Sequence, residues 1–543
     1  MSESILQEKM EAAPVQQSSA AQVREEAAET EYSGIFKSNF GFFGGGALLY
    51  SCFYAFCMFH NPSGVTFPFF IAGSLLFFCF CIAKLGISLR KGSGFYMVSL
   101  MLLAVSTFCT DDGRIITMNK WGIFLLMMSL LVHQFHDTSA WQLGKYLGSF
   151  LQIIFCSLGA LDRPFADGNR YRRSFEKGKG SKAFYAVVGF LAALPLFAVI
   201  FWLLLSADAV FREGSRRLLG GIDFWDICQV IGMVALMFFA VYCLLSYLCE
   251  KNIKEEVKDR RKGEPVLAIT VTGMLTALYL VFSVIQIVYL FLGQMQLPAG
   301  YTYAEYAREG FFQLLAVSVV NLIIVLVGLA YFRESKVLKA VLIVMSFCTF
   351  IMIASSGLRM IIYIQYYYLT FLRIFVLWSL VVLALLFGGI VASIFRKRFP
   401  LFRYCCVAVT CCYLVLSFSH PDYWIAKVNV ANVDRQETGD GFFQGEPYGD
   451  LRYLNDLCAD AAPVLVPWLA ESGEDQPVYG EQSQILGVAP DSGTHVVEPE
   501  YIRRMKARSE KYNGWLQFNV SRGVAKRLME IDFCSRTAYN SVY

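Results

Sequence analysis

Long apolar stretches alternate with short charged loops from Asn39 to Ser419, and this alternation predicts a helical membrane protein. The hydrocarbon core of a bilayer is about 30 Å thick, so a crossing helix needs about 20 mostly apolar residues. About eleven stretches approach that length: 39–59, 63–83, 95–110, 117–135, 183–206, 227–249, 266–293, 311–332, 337–358, 373–395 and 403–419. The pattern predicts an all-α, polytopic transmembrane bundle over residues 39–419.

The short loops predict how the chain is threaded. Loops rich in Lys and Arg stay cytoplasmic because positive charge resists translocation. Four such loops should share one side: Arg163–Lys182, Lys251–Lys262, Arg333–Lys339 and Arg396–Arg403. The loop that holds Lys84, Arg90 and Lys91 should join them, which requires an even number of crossings between Lys91 and Arg163.

The stretch from Trp141 to Ala160 decides that number. Its polar residues recur every three or four positions and form one stripe on an otherwise apolar helix: Gln142, Lys145, Ser149 and Gln152. Such a helix is expected to lie in the membrane interface. The alternative is a full span whose polar stripe faces other helices. The interfacial reading places the N-terminus in the cytoplasm and the chain after Ser419 outside.

Both ends differ in composition from the bundle. Residues 1–38 are rich in Gln, Ala and Glu and predict a disordered cytoplasmic tail without a cleaved signal peptide. Residues 420–543 predict a small, mostly helical soluble segment packed on the membrane face. Its helices are expected at Asp450–Glu471, Glu498–Tyr512 and Val520–Asp532.

Composition narrows the partners. The chain is 56% hydrophobic and 17% charged, with a formal net charge of +4, which suits a lipid bilayer and gives no argument for nucleic acid. Most of its 16 cysteines lie in apolar segments and are expected to pack as small apolar residues. In the polar tail, Cys458 and Cys534 have the option of a disulfide if the compartment is oxidising.

Ionisable residues near the ends of the spans are the first candidates for a site, because a charge within the hydrocarbon is expensive. The threading places five of them at the outer face as a candidate polar cluster: Asp208, Glu305, Arg308, Arg359 and Arg373. The alternative is that these charges only anchor the helices at the interface. Gln286 and Asn321, inside neighbouring spans, are expected to form hydrogen bonds between helices.

Dedicated chemistry is weakly indicated. His133, His136 and Asp137 form a compact group near the inner end of the fourth span, but a fourth metal donor is missing from its sequence neighbourhood. We therefore predict no catalytic residue, no metal and no cofactor.

Several short motifs, in their order and spacing, resemble the bacterial membrane family catalogued as domain of unknown function 4173, a relative of 4153. The motifs are Tyr303–Leu314, Leu205–Phe211, Arg359-Met360 with Tyr363, Leu369-Thr370 with Arg373, Pro421-Asp422 with Asn429-Val430, and Phe518–Ser521. The similarity runs from about His133 to the C-terminus, and departs from the pattern at Gln365 and Tyr368. The resemblance implies a multispanning protein of the bacterial cell membrane and supplies no catalytic residue.

Three functions fit these features. A binding or signalling scaffold would use the tail as an external receptor for an unidentified protein or envelope partner, and it needs no buried charge. A small-solute transporter would need polar or broken helices near the midplane. A membrane-embedded cell-envelope transferase would need a base or metal at an interface. The scaffold is the preferred reading, and an enzyme is the least favoured.

Overall fold

The part of the chain that the structure describes is predominantly helical. The computed structural model describes residues 32–61, 63–136, 143–175, 224–250, 263–288, 310–396, 399–437, 452–472, 499–512 and 514–531, with isolated positions at 141, 200, 203–204, 206–208, 211, 214 and 261. Among these residues, the only pairing of the β type is an isolated bridge between Gly263 and Phe332. The predicted all-α, polytopic class is confirmed.

Nine helices in the described part of the chain are long and apolar enough to cross a membrane. They are α1 (Phe40–Met58), α2 (Thr66–Lys84), α4 (Gly113–Phe135), α7 (Phe224–Cys249), α8 (Pro265–Gln286), α9 (Phe311–Tyr331), α10 (Lys336–Tyr366), α11 (Phe371–Phe395) and α12 (Leu401–Phe418). Each coincides with a predicted span, because a continuous apolar run of this length has no better solvent than lipid. The protein is therefore a multi-pass membrane protein.

Two of the predicted spans are not among these nine helices. The stretch predicted at 95–110 is the apolar helix α3 (Ser93–Cys109), which at 17 residues is shorter than the other candidates. The span predicted at 183–206 lies almost wholly outside the described residues.

The stretch predicted as an interfacial helix forms α5 (Leu143–Leu158), which is followed by α6 (Arg163–Phe175). The two helices meet at a bend of 60°, a geometry that a broken span or a re-entrant loop also has. Gln152 on the polar stripe donates a hydrogen bond to the Tyr247 hydroxyl at 3.0 Å. Part of the stripe therefore faces another helix, as the alternative reading expects.

The last residues of the predicted N-terminal tail are part of a helix. Residues 32–38, assigned above to a disordered tail, are helical. The reason is Phe36, whose buried ring lies 4.6 Å from the ring of Phe43 and 5.2 Å from that of Tyr242. Residues 1–31 lie outside the described part.

The chain forms two compact units. The first comprises residues 1–62, 66–101 and 125–256. In it α1 packs against α2 and α7, and α7 packs against α5 and α6. Tyr242 is buried on α7, and its hydroxyl donates a hydrogen bond to the Asp167 carboxylate at 3.0 Å.

The second unit comprises residues 63–65, 102–124 and 257–543. Its membrane part is built around α10, which packs against α8, α9 and α11, while α11 also packs against α12. Fully buried Leu342, Met345 and Phe387 lie in the core of these helices. A Cβ atom at Gly389 would overlap the Tyr404 ring, so the glycine allows α11 and α12 to approach closely.

The same unit contains a C-terminal helical segment with its own apolar core. Its helices are α13 (Pro421–Glu437), α14 (Arg452–Asn455), α15 (Ala462–Ser472), α16 (Glu500–Lys511) and α17 (Val520–Met529), with 3-10 turns at Ala459–Ala461 and Trp515–Gln517. Ile425, Leu465 and Tyr501 are buried in this core. Tyr368, at the end of α10, packs into it, so the segment is joined to the bundle by apolar contacts as well as by the chain.

The predicted helices of this segment are partly right. Those expected at Glu498–Tyr512 and Val520–Asp532 are present as α16 and α17. The single helix expected at Asp450–Glu471 is instead two helices separated by the turn at Ala459–Ala461, and Pro463 favours a new start at α15. The helix α13 was not predicted.

Candidate functional site

A dense set of polar side chains, in which buried carboxylates meet buried or partly exposed cations, joins the C-terminal segment to the turn between α3 and α4. We call this set the docking cluster; its members are Thr110, Asp111, Asp112, Arg114, His420, Asp422, Asp460, Arg508, Asn519, Ser521 and Arg522. It was not predicted from the sequence, and all of its members lie in the second unit.

The turn supplies two buried carboxylates. Asp111 and Asp112 follow the last turn of α3 and are 3% and 2% exposed. Asp112 accepts a hydrogen bond from the backbone N–H of Arg114 at 2.8 Å, as expected of an aspartate at a helix start. Asp111 is thereby left to face the C-terminal segment.

Asp460, in the turn before α15, is the centre of the cluster. Its carboxylate accepts hydrogen bonds from the Thr110 hydroxyl at 2.5 Å, from the Asp111 backbone N–H at 2.9 Å and from the Ser521 hydroxyl. His420 Nδ1 lies 3.0 Å from the same carboxylate and donates to it. Burial opposes ionisation of Asp460, but these donors outweigh it and lower the pKa of the carboxyl group.

The hydrogen bond to Asp460 also acts on the histidine. It raises the pKa of His420 above its usual value, because the carboxylate stabilises the imidazolium, although burial opposes this. His420 adopts a left-handed backbone conformation with φ of 47°, which turns the chain sharply between α12 and α13. The sharp turn and the ion pair together fix where α13 begins.

Arg114 forms the second centre of charge. Its guanidinium lies 2.9 Å from Asp112 and 2.5 Å from Asp422, donates to the Tyr453 hydroxyl at 3.1 Å and stacks on the Phe371 ring at 4.0 Å. A planar guanidinium suits this use because it donates in several directions at once. The α3–α4 turn is therefore tied to α13 and α14.

Asp111 forms the third centre, with two arginines from the last helices. Its carboxylate lies 3.1 Å from Arg508 on α16 and 3.4 Å from Arg522 on α17. Burial raises the pKa of Asp111 to about 6, even though both arginines act in the opposite direction. Arg522 in turn stacks over the Tyr512 ring at 4.6 Å.

Asn519 completes the cluster through backbone groups. Its side-chain N–H donates to the Thr110 carbonyl at 2.9 Å and to the Ser63 carbonyl at 3.2 Å, while its side-chain oxygen accepts from the Arg522 backbone N–H. The last carbonyls of α3 have no partner within their own helix. Asn519 therefore caps α17 and satisfies the end of α3 together.

A further pair of backbone contacts fixes α13 to the bundle. The Asn429 side chain accepts from the Leu369 N–H at 2.8 Å and donates to the Leu369 carbonyl at 2.9 Å. This reciprocal pairing imitates a peptide group, and it holds α13 beside the loop before α11.

Along α8, α9 and the middle of α10, the buried polar groups that the structure describes are neutral, whereas Arg373 at the start of α11 is a buried charge. Five residues of α8 share one face at helical spacing: Thr272, Thr276, Tyr279, Ser283 and Gln286. Gln286 accepts from the Ser355 hydroxyl at 2.6 Å, and Asn321 donates to the Thr349 hydroxyl at 3.0 Å. We call these contacts the neutral seam. They are the interhelical hydrogen bonds expected for Gln286 and Asn321.

The predicted outer polar cluster stays a prediction. Glu305 and Arg308 lie outside the described residues, and Asp208, which is exposed, belongs to the first unit. Arg373 is buried, donates to the Tyr367 carbonyl at 2.7 Å and lies over the Tyr363 ring at 4.5 Å. Arg359 approaches Gly310, where a Cβ atom would lie 2.8 Å from its guanidinium.

The other candidates have ordinary surroundings. His133 Nε2 lies 3.2 Å from the Lys91 carbonyl, and Asp137 is outside the described residues. The described part of the chain has no group of three or more His, Cys, Asp or Glu residues able to hold a metal ion. Cys458 is a buried free thiol, and Cys534 lies outside the described part.

One sequence signal points to the docking cluster. The threading puts the turn Thr110–Arg114 on the same side as the tail, and this turn carries two adjacent aspartates. The tail offers mostly basic residues after Glu500. The complementary charges of the turn and the tail could have indicated that the two segments meet. They could not have indicated which residues pair, because the segments are far apart in the chain.

These features define a class: a multi-pass helical membrane protein with a helical C-terminal segment fixed to the bundle by buried charge. The family described as Domain of unknown function (DUF4153) matches residues 97–467, which is more than half of the chain, and the protein belongs to this family. The match begins before His133, and it includes Thr110, Arg114, Asp422 and Asp460 but not α16 and α17. No curated protein and no solved structure matches the chain significantly.

Proposed function

We propose that this protein is a scaffold of the bacterial cell membrane that presents its C-terminal segment as a rigid binding surface on the extracytoplasmic side. The observation that carries the proposal is the docking cluster. Charged groups that are buried and paired hold a single arrangement, because removing one partner leaves an uncompensated charge. A segment that needed only a tether would not require Asp111, Asp422 and Asp460 to be buried.

The chemistry of the cluster supports a positional role over a catalytic one. Ser521 and His420 both donate to Asp460, and the lowered pKa of this carboxyl group makes it a weak base for activating a serine hydroxyl. The neutral seam supports a scaffold over a transporter, because Gln286 and Asn321 are engaged with residues of α10. We also propose that the chain resembles the related family 4173 more specifically. This resemblance implies no activity.

The side of the membrane is tested by labelling. A cysteine placed at exposed Glu510 in a Cys534→Ser background should react with an impermeant thiol reagent in intact cells, because the basic loops retain the opposite face in the cytoplasm. Lys336→Cys, in a loop predicted to be cytoplasmic, is the matched control and should react only after lysis. The reverse pattern would overturn the threading.

The binding role is tested by photocrosslinking in living cells. A photoreactive residue at exposed Arg503 should give a discrete adduct, whereas one at Lys336 should not. Asp460→Asn should weaken the Arg503 adduct at equal expression, because the surface would no longer be held in place. Absence of any adduct specific to Arg503 would argue against a binding platform.

A further inference from the structure

The 3-10 turn at Trp515–Gln517 and the first half of α17 expose apolar side chains where polar ones are usual. Trp515 is 77% exposed, and Phe518, Val520 and Val524 are exposed as well. We call these residues, together with exposed Lys526 and Arg527, the Trp515 surface.

The helix α17 has two distinct faces. Ser521, Ala525 and Met529 are buried in the segment, at a spacing of four residues. On the other side Val520 and Val524 share a stripe with Gly523, and the Phe518 ring lies over that glycine, where a Cβ atom would approach it to 2.7 Å. The outward face of α17 is therefore apolar although the buried face already packs the helix against the rest of the segment.

The docking cluster sets the depth of the Trp515 surface. Asn519 bonds to the Thr110 carbonyl just after α3, and the Phe518 ring lies 6.1 Å from that of Phe108 in the last turn of α3. The surface is thus level with the point where an apolar helix ends and charged residues begin. In a membrane protein this level is the headgroup layer, where tryptophan is enriched.

Charge indicates which lipids are favoured. Residues 500–531 contain eight Lys or Arg residues and three Glu residues. Basic groups beside an apolar face are attracted to anionic headgroups. Arg527 lies beside the apolar stripe of α17, and exposed Lys526 extends this charge to the adjoining side of the helix.

We propose that the Trp515 surface rests on the phospholipid leaflet beside the α3–α4 turn, with Trp515, Phe518 and Val524 in the headgroup–acyl boundary and Lys526 and Arg527 on lipid phosphates. This contact does not depend on the scaffold proposal or on which side of the membrane the segment lies. It makes the leaflet a second support for the segment, in addition to the docking cluster.

Fluorescence quenching in nanodiscs tests the contact. The difference between the wild type and Trp515→Phe isolates the emission of Trp515. We expect brominated phospholipids to quench this emission and aqueous acrylamide to quench it weakly. Trp121, which is 63% exposed on the membrane helix α4, is the positive control, and partly buried Trp468 in the segment core is the negative control.

The other outcomes overturn the proposal. Strong quenching by acrylamide and none by brominated lipid would mean that the surface faces water. Protection from both quenchers would mean that protein covers it. Because the Trp515 side chain is largely exposed, Trp515→Phe should leave the unfolding temperature unchanged, and this measurement excludes misfolding as an explanation.

Charge substitution tests the lipid preference. The double variant Lys526→Glu with Arg527→Glu should lose much of the brominated-lipid quenching of Trp515 in nanodiscs containing phosphatidylglycerol and little of it in pure phosphatidylcholine. Lys526→Gln with Arg527→Gln should give a smaller loss in the same direction. An equal effect in both lipids, or no effect, would contradict a role of these residues on anionic phosphates.

Discussion

The docking cluster and the neutral seam solve the same problem, the burial of polar groups, in opposite ways. The seam uses hydroxyl and amide groups, such as Ser355 on Gln286 and Thr349 on Asn321. The cluster uses full charges, with Asp111 between two arginines and Arg114 between two aspartates. Neutral contacts suit helices inserted one at a time into lipid, since a lone charge there is costly. Charged groups that meet outside the hydrocarbon do not have to cross it unpaired, so their desolvation costs less.

The difference has a consequence for the strength of each contact. Interhelical hydrogen bonds in membranes contribute about 0.6 kcal/mol on average, because the separated helices also find partners. Breaking a buried ion pair from one side costs about 3–5 kcal/mol. We therefore expect the C-terminal segment to depend on single residues far more than the membrane helices do.

Substitution of Asp460 should give the largest effect. Asp460→Ala leaves four donors without their acceptor and should lower the free energy of unfolding of the C-terminal segment by about 3–5 kcal/mol. Hydrogen exchange of α13, α15 and α17 in detergent measures this loss, with exchange in α8–α11 as an internal reference. Asp456→Ala is the matched control, because its side chain is 77% exposed beside Arg504 and the change should cost about 0–1 kcal/mol. Equal effects of the two substitutions would mean that the contacts of buried Asp460 stabilise the segment no more than an exposed ion pair does.

The pH dependence of the segment should come next in size. A carboxyl group whose pKa is higher in the folded protein than in the unfolded one destabilises the fold when it is ionised. The pKa of Asp111 is about 6, against a usual 3.8. The stability of the segment should therefore rise as the pH falls from 6 towards 4 and Asp111 takes up a proton. Two pKa units correspond to about 3 kcal/mol at most. The raised pKa of His420 acts in the same direction, because its contribution is present at low pH and lost as the pH rises through the folded pKa.

We therefore expect the stability of the segment to increase as the pH is lowered from 8 to 5. It should decrease again only well below pH 4, where Asp460 is protonated. Hydrogen exchange or thermal unfolding across this range measures the effect. Asp111→Asn should flatten the slope without reversing it, because His420 still titrates. A loss of stability from pH 8 to pH 5 would contradict the assignment.

The smallest effect is expected in the seam. Asn321→Ala removes the hydrogen bond to Thr349 and should lower stability by about 1 kcal/mol. Val319→Ala, at an exposed position on the same helix, is the control for loss of volume. If Asn321→Ala matched Asp460→Ala in size, the seam would be more than packing, and the transporter reading would gain support.

The sequence predicted the parts of this molecule that depend on local pattern. Apolar runs such as Phe371–Phe395 identified their helices within a few residues, because lipid sets their length. The helices α16 and α17 followed from their own periodicity, and Gln286 and Asn321 were identified because a polar side chain in an apolar run is conspicuous.

The docking cluster escaped prediction because its pairing is not local. Thr110 and Asp460 are 350 positions apart, and Asn519 lies 409 positions after Thr110. In the sequence, Asp111 and Asp112 stand after an apolar run, where aspartate is common in any turn, so nothing local marks them as partners of a distant segment. The sequence His420-Pro421-Asp422 has the composition of a turn, but Pro421 also opens α13, as proline often does in the first position of a helix.

The separation of these partners has a consequence for how the protein is made. The α3–α4 turn leaves the ribosome hundreds of residues before Asp460 and Ser521, so Asp111 and Arg114 must stay hydrated while the membrane helices insert. The cluster can close only after the last of its helices has been synthesised. A chain truncated before Asn519 would lack the partners that cover Asp111, so its turn would stay open and hydrated, and closure of the cluster therefore reports that synthesis of the chain has passed Ser521.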